Sequence, residues 1–142
     1  MTDLPGGLKS LAHQYNLSEF YAFGSRAHEI AARVRGQAAA ASHPDSDVDI
    51  GVRPRRGTRL TARDRVRLMV DLEDLFEANR VDLVVLPEAS AFLALEVIQG
   101  EILYCEDEEE QAEVELYILR RAGDLAPFER ERREMILGGG GR

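Results

Sequence analysis

Apolar positions along this chain switch repeatedly between the period of a helix and that of a strand. Leu8, Leu11, Ala12 and Tyr15 recur at helical spacing, and Asn16 follows as a stop. Residues 19–23 are aromatic-rich, end at Gly24 and read as a strand. Helical spacing returns over 25–34, with Ala27, Ile30, Ala31 and Val34. Residues 36–44 are small and lack a period, which reads as a flexible loop or a frayed helix end. The apolar run around Val48, Ile50 and Val52 is a strand that stops at Pro54.

A basic connection over 55–59 leads to Thr61, an N-cap with Asp64 three residues on. From there an amphipathic helix is expected to about Asn79, with Leu68, Leu72, Leu75 and Phe76 on one stripe. Residues 81–86 form the next strand and end at Pro87. A short apolar helix over 91–98 is closed by Gly100, and residues 101–105 form a short strand. The acidic run 106–110 opens a last helix, where negative charge complements the helix dipole. Leu116, Leu119, Leu125 and Phe128 give that helix a broken apolar face, Gly123 a kink, and residues 138–142 a flexible tail.

Helix and strand thus alternate from end to end, so the fold class is α/β, one small sheet covered by helices. One domain spans 1–137, interrupted by the flexible loop over 36–46. The 142 residues suffice for one core and not two. A net charge of −8 argues against direct nucleic-acid binding. No stretch resembles a signal peptide or a membrane span, and the single Cys105 has no internal disulfide partner, so a cytoplasmic location is expected.

The chemistry concentrates in two short stretches. Asp47 and Asp49 stand two apart in a strand-like run, so both carboxylates project to one side. Adjacent anions repel, and a divalent cation removes the conflict, with carboxylate oxygens suited to Mg²⁺. Asp82 opens a later apolar run, and a strand there beside the first would bring a third carboxylate to the same ion. Gly24-Ser25 ends a strand and starts a helix. Glycine admits close backbone approach, the helix amides can hold a phosphate, and Ser25 adds a donor. Alone, such a turn is an ordinary N-cap and Asp-x-Asp an ordinary surface turn. Together they describe phosphoryl or nucleotidyl transfer.

Gly24-Ser25, then Ser46-Asp47-Val48-Asp49-Ile50, then Val81-Asp82-Leu83-Val84 resemble the signature of the DNA polymerase beta-like nucleotidyltransferase superfamily. More narrowly the chain resembles the minimal nucleotidyltransferase (MNT) antitoxins of HEPN/MNT toxin–antitoxin pairs. Residues 98–104 match the short strand after the third acid, and the charged C-terminal helix fits too. The resemblance implies a polymerase beta-like fold with a mixed sheet flanked by helices and a C-terminal helix. It implies that Asp47, Asp49 and Asp82 are catalytic and hold metal, two Mg²⁺ ions, with Asp82 also helping to activate the acceptor hydroxyl. Gly24 and Ser25 would bind the nucleotide phosphates, and Arg26 is expected beside them or in an exposed salt bridge. The implied reaction moves AMP from ATP to a tyrosine of a HEPN RNase toxin, within a hetero-oligomer. The alternatives are an antitoxin acting by stoichiometric binding, and a nucleotidyltransferase with a small-molecule or RNA acceptor. Ser25 and Asp47 are further apart than in the family, so residues 28–44 read as an insertion. Arg53, Arg55, Arg56 and Arg59 form a basic patch open to three readings: a triphosphate site, a contact for an acidic partner, or a solvated loop.

Overall fold

A computed structural model describes residues 3–37 and 45–140, with side chains as far as Pro127. The chain runs α1 (Leu4–Tyr15), β1 (Leu17–Phe23), α2 (Ala27–Val34), β2 (Val48–Pro54), α3 (Ala62–Phe76) and β3 (Val81–Val85). A 3-10 turn (Leu86–Glu88) then leads to α4 (Ala91–Ile98), β4 (Glu101–Cys105) and α5 (Glu108–Gly140). The alternation is the one the periodicity predicts, with the short turn added. The described strands form one mixed sheet in the order β3-β2-β1-β4. β2 and β3 are parallel, and β1 is antiparallel to both of its neighbours.

Strand alternation divides the apolar residues between two faces. On one face Phe20, Ala22, Ile50 and Val52 pack with Leu8 and Ala12 of α1, Ile30 of α2, and Leu68, Leu72 and Phe76 of α3. On the other, Tyr21 and Phe23 meet Ala94 and Val97 of α4 and Ile118 of α5. β1 is covered on both faces and is buried along its whole length, which carries it back to Leu17, before the expected start at 19.

The caps explain where the helix ends depart from expectation. α1 starts at Leu4 because Asp3 accepts a hydrogen bond from the Gly6 amide, and proline is tolerated in a first turn. Thr61 and Asp64 form a reciprocal capping box, as expected, while α3 stops at Phe76 and not Asn79 because Glu77 turns left-handed. Asp107 accepts from the amides of Glu109 and Glu110 at the start of α5.

The expected apolar face of α5 is not the buried one. Val114, Ile118 and Ala122, spaced four apart, pack against the core, whereas Leu116, Leu119 and Leu125 are exposed. Leucine size pointed to the wrong stripe: burial follows the register set by the cap and by Tyr21, whose hydroxyl donates to Glu115. The Phe128 side chain lies outside the described residues, as do 38–44 of the expected loop and 141–142 of the tail. The helical backbone is unbroken across Gly123 and Pro127 and continues over 138–140, assigned above to the tail. Among the described residues no helix is long and apolar enough to cross a membrane.

Candidate active site

β2 and β3 run in parallel register, and Asp49 pairs directly with Asp82. Alternation puts both on the sheet face that α4 covers, the face of Gly51 and Val84. Gly51 lets α4 sit close, because a Cβ there would collide with Val97. On its other side Asp49 faces Phe23, the last residue of β1. The chain then turns at Gly24, whose φ of 76° is left-handed, and a Cβ at Gly24 would run into Oδ2 of Asp49. The glycine is therefore required twice, by its dihedral and by the carboxylate beside it.

Asp47 lies just outside β2, so strand alternation accounts for Asp49 but not for Asp47. Arg80 reveals where Asp47 sits: its Nε is 3.6 Å from Oδ2 of Asp47 and 3.4 Å from Oδ1 of Asp82. Burial raises the Asp49 pKa above its ordinary value, and the charges of Asp82, Asp47 and Glu96 raise it further. Asp49 thus lies beside the Gly24 turn, Asp82 is in register with Asp49, and Asp47 and Asp82 both approach Arg80. Their donor type and accumulated negative charge suit a hard divalent cation. Among the described residues no group of three or more histidine, cysteine, aspartate or glutamate side chains is gathered closely enough to hold a metal ion.

The turn before α2 differs from an ordinary cap. The N-cap position falls on Arg26, and no side chain caps the helix. Gly24 and Ser25 are both exposed, so the turn itself is open to an anion, while the Ala27 amide donates to the Gly24 carbonyl at 3.3 Å. Replacing Gly24 with Ala should cost about 1–2 kcal/mol in the left-handed turn and displace Asp49. The expected result is a folded protein whose Mn²⁺ affinity, measured by calorimetry, falls by about tenfold or more.

Arg26 has a different setting from the one expected of a phosphate ligand. Its Nε and Nη2 donate to Glu29 at 3.0 and 2.8 Å, and its Nη1 donates to the Ser46 carbonyl at 3.2 Å. The residue is 8% exposed. These bonds aim the guanidinium inward, where it braces the start of α2 against the residue that precedes Asp47. The hydrogen bond from Arg26 holds the Glu29 carboxyl below its ordinary 4.5. A lowered carboxyl pKa gives stability that is complete above the unfolded value and is lost as pH falls through the folded one. Acid titration of thermal stability should therefore be shallower below pH 4.5 in Glu29→Gln than in the wild type.

The basic patch does not face the acids. Arg53, at the far end of β2, pairs with Glu19 and Glu110; Arg55 pairs with Glu106, and Arg56 approaches Glu110. The Glu110 pairs fasten α5 to the end of β2, and the Glu106 pair holds the connection that precedes α5. Three residues of the acidic corner escaped sequence reasoning: Glu29, Arg80 and Glu96. Arg80 stands two before Asp82 and Glu29 three after Arg26, spacings that share a strand face or a helix face. Nothing local marks Glu96, which only the packing of α4 brings near Asp49.

Comparison with known proteins bears on the family and the fold. The family model described as Polymerase beta, Nucleotidyltransferase matches residues 7–109. None of the curated proteins compared matches. Among solved structures, the chain is similar to one from a mutant MntA–HpeT toxin–antitoxin (TM-score 0.64, 22% identity, 93% of this chain and 94% of that one). It is similar to another from a toxin–antitoxin with AMP-PNP (TM-score 0.63, 22% identity, 93% and 94% covered). A third is from the tri-AMPylated Shewanella oneidensis HEPN toxin in complex with MNT antitoxin (TM-score 0.60, 22% identity, 94% and 92% covered). Likeness at this identity establishes the shared fold. The family match covers well over half of the sequence and includes the Gly24 turn and all three acids, so this chain belongs to the polymerase beta nucleotidyltransferase family.

Proposed function

We propose that this protein is the antitoxin half of a HEPN/MNT pair and that it transfers AMP from ATP to a tyrosine hydroxyl of its HEPN partner. The observation that carries the reading is the contact of Gly24 with Asp49, with Asp82 in register alongside. An uncapped helix start, behind the exposed Gly24-Ser25 turn, thereby adjoins Asp49. The solved relatives of the same fold include a complex with AMP-PNP and an AMPylated HEPN toxin with its MNT antitoxin.

In this reading Asp47, Asp49 and Asp82 hold two Mg²⁺ ions, and Gly24, Ser25 and the α2 amides hold the ATP phosphates. The bound ions would neutralise the triphosphate and stabilise the leaving pyrophosphate. Asp82 orients the acceptor tyrosine and draws off its proton as the oxygen bonds to the α-phosphorus and pyrophosphate departs. Arg26 and Glu29 keep the Ser46–Asp47 backbone in place. Such a reaction belongs in the cytoplasm, where ATP is supplied.

The test mixes the protein with labelled ATP, Mg²⁺ and a HEPN partner, beside the Asp47→Asn/Asp49→Asn variant. Label on the partner with the wild type alone supports transfer; equal labelling by both proteins rules the site out.

A second reading, neutralisation by binding alone, is favoured by one observation. Leu116, Tyr117, Leu119 and Leu125 leave an apolar strip of α5 exposed, between 38% and 63%. Protection of cells from the toxin by the double Asn variant would favour that reading. Lost protection with the complex intact would favour catalysis.

A further inference from the structure

We propose that Arg80 is a built-in counter-ion, holding Asp47 and Asp82 together in the metal-free protein and leaving that place when a divalent cation binds. This inference rests on the reading of Asp47, Asp49 and Asp82 as a metal site.

Arg80 is the one cation within ion-pair distance of Asp47 or Asp82 among the described residues, and Asp49 has none. Its Nε stands between a carboxylate from the start of β2 and one from β3. Without it, two carboxylates beside the ionisable Asp49 would repel with nothing interposed. The pairing is nevertheless loose. Both contacts lie at 3.4–3.6 Å and use the single Nε, not the two-pronged fork that makes arginine–carboxylate pairs strong.

The Arg80 backbone and side chain are held very differently. The Arg80 carbonyl accepts from the Val48 amide at 3.0 Å, which fastens the backbone to β2. The side chain is 68% exposed and free to swing without disturbing the sheet. A divalent cation arriving at the acids brings more charge than the guanidinium and repels it, so the two compete for the same carboxylates. Exposed pairs of this kind are individually weak, so displacement carries a small cost and the guard yields readily.

Two measurements on the full chain test this. Calorimetric titration with Mn²⁺ compares the wild type, Arg80→Gln, and Arg63→Gln, which removes the same charge from an exposed position on α3. Arg80→Gln should bind Mn²⁺ about fivefold tighter than the wild type, and Arg63→Gln should match the wild type. In the wild type, the Arg80 Nε–Hε resonance should move on Mg²⁺ titration with the midpoint of metal binding. An unmoved Arg80 resonance at saturating Mg²⁺, or equal or weaker Mn²⁺ binding by Arg80→Gln, would overturn the counter-ion while leaving the metal site standing. Equal tightening by Arg63→Gln would overturn it too, as a general charge effect. Failure of the wild type to bind Mn²⁺ would overturn the metal-site reading itself, and Arg80 with it.

Discussion

Asp49→Asn should lower AMP transfer by about a thousandfold or more and, in the same protein, raise the stability of the metal-free fold. Both effects come from one placement. Asp49 is the acid against which Gly24 packs and beside which Asp82 lies in register, so its charge is central to any cation held there. Asparagine keeps the shape and removes that charge. In the absence of a cation the same charge is a burden, because burial and then the charges of Asp82, Asp47 and Glu96 all disfavour it. A carboxyl whose folded pKa is raised subtracts stability as pH climbs above its ordinary 3.8, and the subtraction persists at neutral pH. Removing the charge should raise the midpoint of thermal unfolding in chelator by roughly 2–4 °C, the shift that about 1 kcal/mol gives a chain of this size. Mg²⁺ should then stabilise the wild type and leave the variant unchanged. Single-turnover labelling and melts with and without chelator measure both halves. A variant that melts lower than the wild type in chelator would show that the acids do not strain one another.

The largest stability effect is expected at the other end of β2. Arg53→Leu should cost about 3–5 kcal/mol, the usual loss when one partner of a buried ion pair is removed. Glu19 and Arg53 are cross-strand partners on β1 and β2, and Glu19 is fully buried. Both Nε and Nη2 of Arg53 donate to it, while Nη1 reaches Glu110 on α5 at 3.0 Å. Burial drives the Glu19 carboxyl upward, and Arg53 opposes it. Once the arginine is gone the carboxyl must either take up a proton or stay charged without a partner. The loss should therefore grow as pH rises above the ordinary carboxyl value of 4.5 and shrink in acid. Glu19→Leu/Arg53→Leu removes both charges and should recover most of the stability, since Glu110 is partly exposed and can turn to water. Urea unfolding of the two single variants and the double variant at two pH values tests this. A double variant no more stable than Arg53→Leu would contradict the account.

Much of this was legible in the sequence because the informative signals were local. Period and punctuation place each helix and strand, and Thr61-x-x-Asp64 marks the start of α3 outright. The Asp49–Asp82 pairing is legible once two neighbouring strands are granted. What stayed hidden depends on third parties. Arg26 reads as a phosphate contact or an exposed salt bridge until Glu29 and the Ser46 carbonyl are found to take its donors in a buried setting. The arginines at and after the end of β2 read as a solvated patch, a triphosphate site or a contact for an acidic partner until Glu106, just before α5, and Glu110 on α5 are found beside them, more than fifty residues away. On α5 itself the leucines outweigh Ala122 in any count of apolar surface, yet Ala122 faces the core. Hydrophobicity identifies the residues that would gain from burial, and only packing decides which of them receive it.

The central claim is that Asp47, Asp49 and Asp82 share one cation site facing the Gly24 turn. A crystal structure of the protein with Mn²⁺ and a non-hydrolysable ATP analogue, using manganese anomalous scattering, examines it most directly. The account predicts an anomalous peak touching all three carboxylates, with the triphosphate against Gly24 and Ser25 and Arg80 turned away. A peak that excludes Asp82, or a triphosphate seated among Arg55 and Arg56 at the opposite end of β2, would contradict it.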